Sequence, residues 1–472
     1  MTLNNRLLTA LFTGATIVMT SCCFAQSAAT GLSADMIERL RSNFANNGRN
    51  PAAYNALTAN DISALAVNRD RVIAHNSIFS KEITTGEITN QEASGRCWMF
   101  AASNMLRPKV MDKLKLGTFK MSTNYLFFWD KLEKSNTFLE AMIQLAARPL
   151  DDRDVDLLLE DPCGDGGWWS YVVDLIGKYG VVPDQIMPET YATAHTGSLN
   201  GVLNRKLRKD ASLLRDMFAS GKTAGDLRTA KESMLREIYS ILALNFGEPP
   251  QKFTWRFESK DSVVAPPQEY TPRQFYTDMI GVKLEDQVVI FDHPGVDYFK
   301  YYEMNWSSNI ADRNNLRFVN LPIDSLKRYA LATVLGNDPL YFACDVGKDN
   351  YGAKGILAAG IYDYSSVYGF DVSLTKRERI MYRDSSPTHA MVFTGVDTVN
   401  GMATKWKVEN SWGDKGGEKG YWTMYDDWFN EYVYCVIIDK KLLPKEVAAI
   451  FDTKPATLPA WDPMWSMLRK LQ

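Results

Sequence analysis

From Asp286 onward the chain carries five short runs that read as strands: Asp286-Gln-Val-Val-Ile-Phe-Asp, Leu340-Tyr-Phe-Ala-Cys-Asp-Val, Ala390-Met-Val-Phe-Thr-Gly-Val, Lys405-Trp-Lys-Val-Glu-Asn and Tyr432-Val-Tyr-Cys-Val-Ile-Ile. They are bounded by Gly, Asp and Asn, and together they fit an antiparallel sheet domain. The stretch ahead of them is patterned differently. Met99, Phe100, Ala101, Ala102 and Met105 are apolar on nearly every side, which predicts a buried helix from Cys97 that bends or ends near Pro108. Leu203, Leu207, Leu214 and Met217, then Leu227, Met234, Ile238 and Ile241, are spaced for two amphipathic helices separated by Gly221 and Gly225. Residues from Gly31 to about Asn90 read as a peripheral arm, with helical spacing at Met36, Leu40 and Phe44 and a β-like run at Ala64-Leu65-Ala66-Val67.

Composition narrows the function classes. A chain of 472 residues that is 46% hydrophobic and 12% aromatic buries one large core or two modest ones. The 53 basic and 56 acidic side chains are mixed without long runs and leave a net charge of -3, so nucleic acid is not an expected partner. There is no His-Glu-x-x-His and no Cys-x-x-Cys, and the four histidines are dispersed, so neither a metal nor a cofactor is expected. The Gly164 to Gly167 loop lacks the Lys-Ser or Lys-Thr that a phosphate cradle needs.

The N-terminus reads as a secretory signal over residues 1–25: Arg6, an apolar run from Leu7 to Met19, then Thr20-Ser21-Cys22-Cys23-Phe24-Ala25. The run is shorter than the roughly 20 residues that span a bilayer. Cleavage after Ala25 would release the chain, and lipidation at Cys22 would tether it to a membrane. The expected location is therefore the periplasm or cell envelope. Cysteines 97, 163, 344 and 435 remain, too sparse for a disulfide scaffold.

In Asn90-Gln-Glu-Ala-Ser-Gly-Arg-Cys97-Trp-Met-Phe100 a cysteine stands where a Gly-containing loop enters an apolar helix. Backbone N–H groups and the positive dipole end at a helix N-terminus favour thiolate over thiol. Gln91 is placed to turn its amide N–H toward the same point, making a two-donor oxyanion hole with the Cys97 N–H. Of the histidines, His75 lies in the polar arm, His195 in a polar turn and His293 in Asp-His-Pro-Gly, which reads as a loop. His389 instead opens an apolar strand, and Asn410 ends another, so adjacent strands would bring the Asn410 amide oxygen to the imidazole, with Trp412 covering the contact. Taken singly, Cys97 reads as a small buried hydrophobe, His389 as a hydrogen-bonded core histidine and Asn410 as a turn residue; their joint presence favours chemistry. Cys163, the rival nucleophile, is flanked by Asp161 and Asp165, whose charges suppress a thiolate, and Cys344 and Cys435 lie within apolar strands as core residues.

The motifs Gln-Glu-Ala-Ser-Gly-Arg-Cys-Trp-Met-Phe, Thr-His-Ala-Met-Val-Phe-Thr-Gly-Val and Val-Glu-Asn-Ser-Trp-Gly resemble the active-site motifs of papain-like cysteine peptidases, in particular the bleomycin hydrolase and aminopeptidase C family. Cys163-Gly-Asp-Gly-Gly-Trp-Trp, Lys178-Tyr-Gly-Val-Val-Pro, Gly416-Gly-Glu-Lys-Gly-Tyr-Trp and Pro459-Ala-Trp-Asp-Pro-Met extend the resemblance from about residue 35 to Met464. His389 lies 292 residues after Cys97. Simple papain-like enzymes place it about 130–150 downstream, and the excess is read as a helical insertion at about 200–280. The resemblance implies an α+β, papain-like two-lobed fold over residues 31–472, with a helical lobe, an antiparallel β lobe and a peripheral arm. It further implies Cys97, His389 and Asn410 as catalytic residues, Gln91 in the oxyanion hole, peptide substrates trimmed from their N-termini, and a homohexamer with sites facing an inner channel. In the family the C-terminus lies in the cleft; here tail 459–472 ends Trp465-Ser-Met-Leu-Arg-Lys-Leu-Gln, longer and more basic than expected, which keeps endopeptidase cleavage open. An acyl-transferring amidase and a non-catalytic assembly protein of the same fold are the rival readings.

Overall fold

The computed structural model describes residues 30–45 and 50–465. The leader, with Cys22 and Ala25, and the tail beyond Trp465 lie outside the described residues. The chain divides into two compact units, a small one of residues up to Val67 with Asp363–Asp371, and a large one of Asn68–Tyr362 with the remainder of the chain. In the small unit, helix Ala34–Asn43 forms where Met36 and Leu40 predict it, opened by the Ser33 side chain, yet it buries nothing. The β-like reading of Ala64–Val67 is wrong: Ile62–Ala66 is a helical turn, because Asp61 caps it by accepting the Ser63 N–H at 2.8 Å.

The large unit opens with the predicted helix, α1 (Cys97–Leu114). It does not end near Pro108. A proline inside a helix costs about 3 kcal/mol, but Leu106, Arg107, Val110 and Met111 on both sides are buried, and that packing outweighs the lost bond. Helices α2 (Thr123–Gln144) and α3 (Trp169–Tyr179) follow. The spacing around Gly221 and Gly225 becomes α4 (Gly197–Ala219) and α5 (Ala224–Phe246), whose buried residues include Leu203, Leu207, Leu214, Leu227, Met234 and Ile238.

The strands come next: β1 (Gln287–Phe291), β2 (Lys300–Met304), β3 (Arg317–Asn320), then helix α6 (Ile323–Leu335), β4 (Leu340–Cys344), β5 (His389–Val399), β6 (Met402–Glu409), β7 (Tyr421–Tyr425), β8 (Val433–Asp439) and β9 (Ala456–Leu458). Together with the short strands Lys81–Glu82, Asn350–Tyr351 and Ile356–Leu357 they form one 12-stranded sheet. The five runs read from the sequence are its centre, in the spatial order β1-β8-β4-β5-β6, and every pairing among them is antiparallel. The expectation of a purely antiparallel sheet needs correction at its margins, since β9 pairs parallel to β2, β1 to β3, and β7 to Ile356–Leu357.

A core lies on each face of this sheet. Along β4, Tyr341 and Ala343 join the core that also holds α1 to α5, whereas Leu340, Phe342 and Cys344 join the other with α6. That two-residue alternation is why β4 is apolar throughout: neither face meets water. Cys344 and Cys435 are core residues, as the sequence suggests, and Cys97, Cys163, Cys344 and Cys435 are all free thiols.

Candidate active site

Cys97 is the first residue of α1, and the residue before it, Arg96, provides no side-chain cap. The first N–H groups of the helix are therefore left for other acceptors. The 90–96 loop that delivers Cys97 has two attachments. On one side it is stitched to the loop after β6: the Gln91 N–H donates to the Ser411 carbonyl at 2.8 Å, the Ser411 hydroxyl donates to Gln91 Oε1 at 2.7 Å, and the Gly413 N–H donates to the Thr89 carbonyl at 3.0 Å. On the other side it meets Asp165. The Gly95 N–H donates to Asp165 Oδ2 at 3.0 Å and Trp98 Nε1 donates to the Asp165 carbonyl at 2.9 Å. A side chain at position 95 would put its Cβ 2.7 Å from that of Asp165, so glycine is required by the close approach.

Asp165 is itself held by four donors. Besides Gly95, Thr196 Oγ1 lies 2.5 Å from Oδ2, and Asn200 Nδ2 and Lys131 Nζ each lie 2.8 Å from Oδ1. Burial pushes this carboxyl upward, but Lys131, Thr196 and the Gly95 N–H outweigh it and hold it well below the ordinary range. Lys131 is fully buried and also donates to the Cys163 carbonyl at 2.6 Å. The suppression of Cys163 thus has a different main cause from the one read in the sequence: burial raises the thiol, while Lys131 pulls it the other way. Asp165 serves the Cys97 loop instead. The motif Cys163-Gly-Asp-Gly-Gly was visible in the sequence, but nothing in its spacing pointed to Gly95.

His389 and Asn410 arrive by strand register. His389 opens β5 opposite Cys344, and Asn410 directly follows Glu409, which stands opposite Val392. Their side chains meet: the His389 Nε2 to Asn410 Oδ1 distance is 2.9 Å, and the Ser411 N–H adds a second bond to the same oxygen at 2.7 Å. With Nε2 donating to an amide oxygen, Nδ1 is the nitrogen left to exchange a proton. The Trp412 ring covers the imidazole at a centroid distance of 4.6 Å and is 40% exposed, so it shields the pair on its solvent side. A buried ion pair, Arg107 to Glu409 at 2.6 Å, joins the Cys97 helix to the Asn410 strand.

These residues share one cavity of about 370 Å³, lined by Gln91, Cys97, Asp165, Trp168, His389 and Trp412 among others. Its volume lies within the range of small-molecule sites. His75, His195 and His293 do not line it. His75 sits beside Tyr425, His195 stacks on Tyr191 at 4.4 Å, and His293 lies in the expected loop, 1% exposed and bonded to Asp462. Among the described residues there is no cluster of metal-ligating groups.

The electrostatics differ from the expectation of a thiolate favoured by the helix terminus alone. Burial pushes the Cys97 thiol up to about 11, against the pull of the Ala390, Trp98 and Cys97 N–H groups, with Asp165 adding to the rise. Burial also draws the His389 imidazole down to about 4, opposed by the bond to Asn410. Each group on its own thus disfavours its charged form, the thiolate at Cys97 and the imidazolium at His389. Gln91 Nε2 gives one N–H to the Ser94 carbonyl at 2.6 Å, and an amide nitrogen carries a second.

Comparison with known proteins places the chain in a family. Residues 31–465 match the Peptidase C1-like family. Aminopeptidase C of Streptococcus thermophilus is 40% identical over 444 residues, covering 93% of this chain and all of that protein. Bleomycin hydrolase of Homo sapiens is 36% identical over 450 residues, covering 93% of this chain and 99% of its own. The crystal structure of PepW from Lactobacillus rhamnosis HN001 superposes with a TM-score of 0.90 at 40% identity, over 93% of this chain and 99% of that one. Over nearly its whole length, in sequence and in the papain-like α+β fold, the chain belongs to the Peptidase C1-like family.

Proposed function

We propose that the chain is a cysteine aminopeptidase that removes residues from the N-termini of peptides, with Cys97 as nucleophile, His389 as proton shuttle and Asn410 as its orienting partner. The observation that carries this reading is one cavity lined both by a helix-N-terminal cysteine and by an imidazole whose far nitrogen is fixed by an amide oxygen. Cys97 gives its proton to His389 Nδ1 as the sulfur attacks the scissile carbonyl carbon. The oxyanion that forms is met by the Cys97 N–H and the remaining Gln91 N–H. His389 then passes the proton to the leaving amine, and the C–N bond breaks to give a thioester. Water, deprotonated by the same imidazole, attacks the thioester and releases the acid with the thiol restored.

The tail beyond Trp465 is read as the element that confines substrate to its free N-terminus. In support, Trp465 lies against Trp168, a wall of the cavity, with ring centroids 5.0 Å apart. One peptide with a free N-terminus and its acetylated twin test the reading together, followed by mass under reductant. Stepwise loss from the free peptide alone is expected, and Cys97→Ala abolishes it with the fold intact. Internal cuts in both peptides would instead make the chain an endopeptidase on the same residues.

Export and assembly complete the proposal. Arg6, the run Leu7–Met19 and the small residues up to Ala25 support a cleaved signal. A mature chain beginning at Gln26 would mean release, and one beginning with a lipid-modified Cys22 would mean a membrane tether. Exposed Leu32, Met36 and Leu40 support burial against further copies of the chain, and sedimentation velocity is expected to return a hexamer.

A further inference from the structure

One buried hydroxyl in the wall of the catalytic cavity is left without a partner by the protein around it. β4 and β5 run antiparallel, with Ala343 opposite Ala390 and Tyr341 opposite Val392. The two-residue period of a strand puts Tyr341 and Ala343 on one face of β4, the face that shares its core with α1. Tyr341, Ala343 and Ala390 all line the catalytic cavity, and Pro387 joins them there. Two alanines facing each other across the strands fill little space, so this part of the wall is a hollow with methyl groups along it and a phenol beside them.

Tyr341 is 2% exposed, and its ring packs on Trp169 with centroids 5.5 Å apart. Buried tyrosines elsewhere in the core use their hydroxyls: that of Tyr125 donates to the Tyr179 carbonyl at 2.8 Å, and that of Tyr434 lies 2.6 Å from Ser385 Oγ. The Tyr341 hydroxyl has no hydrogen-bond partner among the described residues. It is not sealed into the core either, unlike the neighbouring Trp169 Nε1, which is enclosed without a partner. A polar group taken from bulk water and left unpaired costs free energy, and that cost is recovered when an entering molecule bonds to it. Burial, with the Cys97, Cys435 and Cys344 thiols adding to it, raises the phenol well above its ordinary value. The hydroxyl is therefore neutral and can both donate and accept. Ala343, Ala390 and Pro387 beside it present no side-chain hydrogen-bonding group, so a charged end would lose its water there and meet only a neutral phenol.

We propose that Tyr341 is a specificity-determining residue whose hydroxyl bonds the side chain of the peptide's N-terminal residue, favouring side chains with an apolar stem and a neutral hydrogen-bonding end, such as glutamine. This deepens the reading that the chain trims peptides from their N-termini, and rests on it.

Tyr341→Phe removes the one oxygen and keeps the ring. Two peptides that differ only in carrying glutamine or the similarly shaped methionine at the N-terminus supply the measurement, under reductant. The variant is expected to lower kcat/KM for the glutamine peptide about tenfold more than for the methionine peptide, with the difference in KM. An unchanged ratio between the two would overturn the proposal, and so would an equal fall for both, which would assign the effect to the ring. Urea unfolding is expected to give the parental midpoint, since no protein group loses a bond. A lower midpoint would place the partner of the hydroxyl inside the protein and also overturn it. In a Cys97→Ala background, titration calorimetry reads the same contact without turnover, and Tyr341→Phe there is expected to weaken the glutamine peptide selectively by about tenfold in Kd. Failure of the parent to cleave either peptide would sink the aminopeptidase reading, and calorimetry would still decide the contact: a selective loss upholds it, whereas equal losses or no binding of either peptide overturn it.

Discussion

The two halves of the cavity are held by different physics. Around Cys97 the chain is a loop, and the loop is clamped by buried charge: Asp165 with Lys131 on one side, and on the other Arg96, which reaches Glu189 through two bonds of 2.9 and 2.8 Å. Around His389 and Asn410 the chain is sheet, and neutral backbone pairing to β4 and β7 sets the positions. A strand inherits its geometry from its neighbours, while a loop must be given its geometry by side chains. The Cys97 side is therefore expected to be the more easily destabilised by a single substitution within its own loop supports, and the His389 side to tolerate more at the site itself.

The largest test of this contrast is Lys131→Met, which strands the Asp165 carboxylate in the interior. Breaking a buried pair in this way costs about 3–5 kcal/mol, and urea unfolding is the measurement. A loss under about 1 kcal/mol, the size of an ordinary hydrogen bond, would remove the distinction between the two sides.

Next is the pH dependence of the strand side. The His389 imidazole is held down to about 4 from an ordinary value of 6.5. Between those values the unfolded chain binds a proton that the folded chain refuses, so stability falls as pH drops from about 6.5 toward 4 and is fully present above that window. In a Cys97→Ala background, which isolates the imidazole, the fall is expected to be about 3 kcal/mol, at 1.36 kcal/mol per unit. Replacing His389 by Asn in that background should flatten the profile over this range. A profile equally steep with and without His389 would place the titration elsewhere.

Asn410→Ala sharpens the comparison from the other direction. It removes the acceptor for both Nε2 and the Ser411 N–H and is expected to cost about 1–3 kcal/mol of stability, while peptide hydrolysis drops on the order of a hundredfold. Thermal unfolding and steady-state rates on one preparation would check both. The smallest effect is expected at Trp412→Ala. The ring is 40% exposed, and a substitution there should change stability by no more than about 1 kcal/mol, with the change appearing chiefly in the alkylation rate of Cys97 as water reaches the imidazole.

The strand side was the legible side. An apolar run with a histidine at its start and a second run ending in Asn announce their register once paired, because a two-residue period leaves few ways to bury both faces. The nucleophile loop was legible in its residue types, Gln91, Gly95 and Cys97, but not in its supports. Lys131 and Asn200 lie in helices remote from Cys97 in sequence, and no local pattern connects them. Asp165 stands in a Gly-rich motif whose spacing gives no pointer to the Cys97 loop. His293 in Asp-His-Pro-Gly does lie in a loop, but its burial is not legible because its partner, Asp462, comes 169 positions later. The helical turn Ile62–Ala66 and the continuation of α1 past Pro108 are the opposite kind of difference, since a short apolar run and a proline do not show the cap at Asp61 or the packing beyond Arg107 that decide where each helix runs.

The two bonds from Asp165 to Gly95 and Trp98 flank Cys97 in sequence, one before it and one after. Gripped at both ends by a single residue, the nucleophile is coupled to segment 163–168 as a rigid rider is to its carriage. Trp168, three positions beyond Asp165, lines the same cavity, so the segment that holds the Cys97 turn also forms part of the cavity wall. Contact of a peptide with that tryptophan is therefore expected to register at the thiol, as a changed alkylation rate of Cys97.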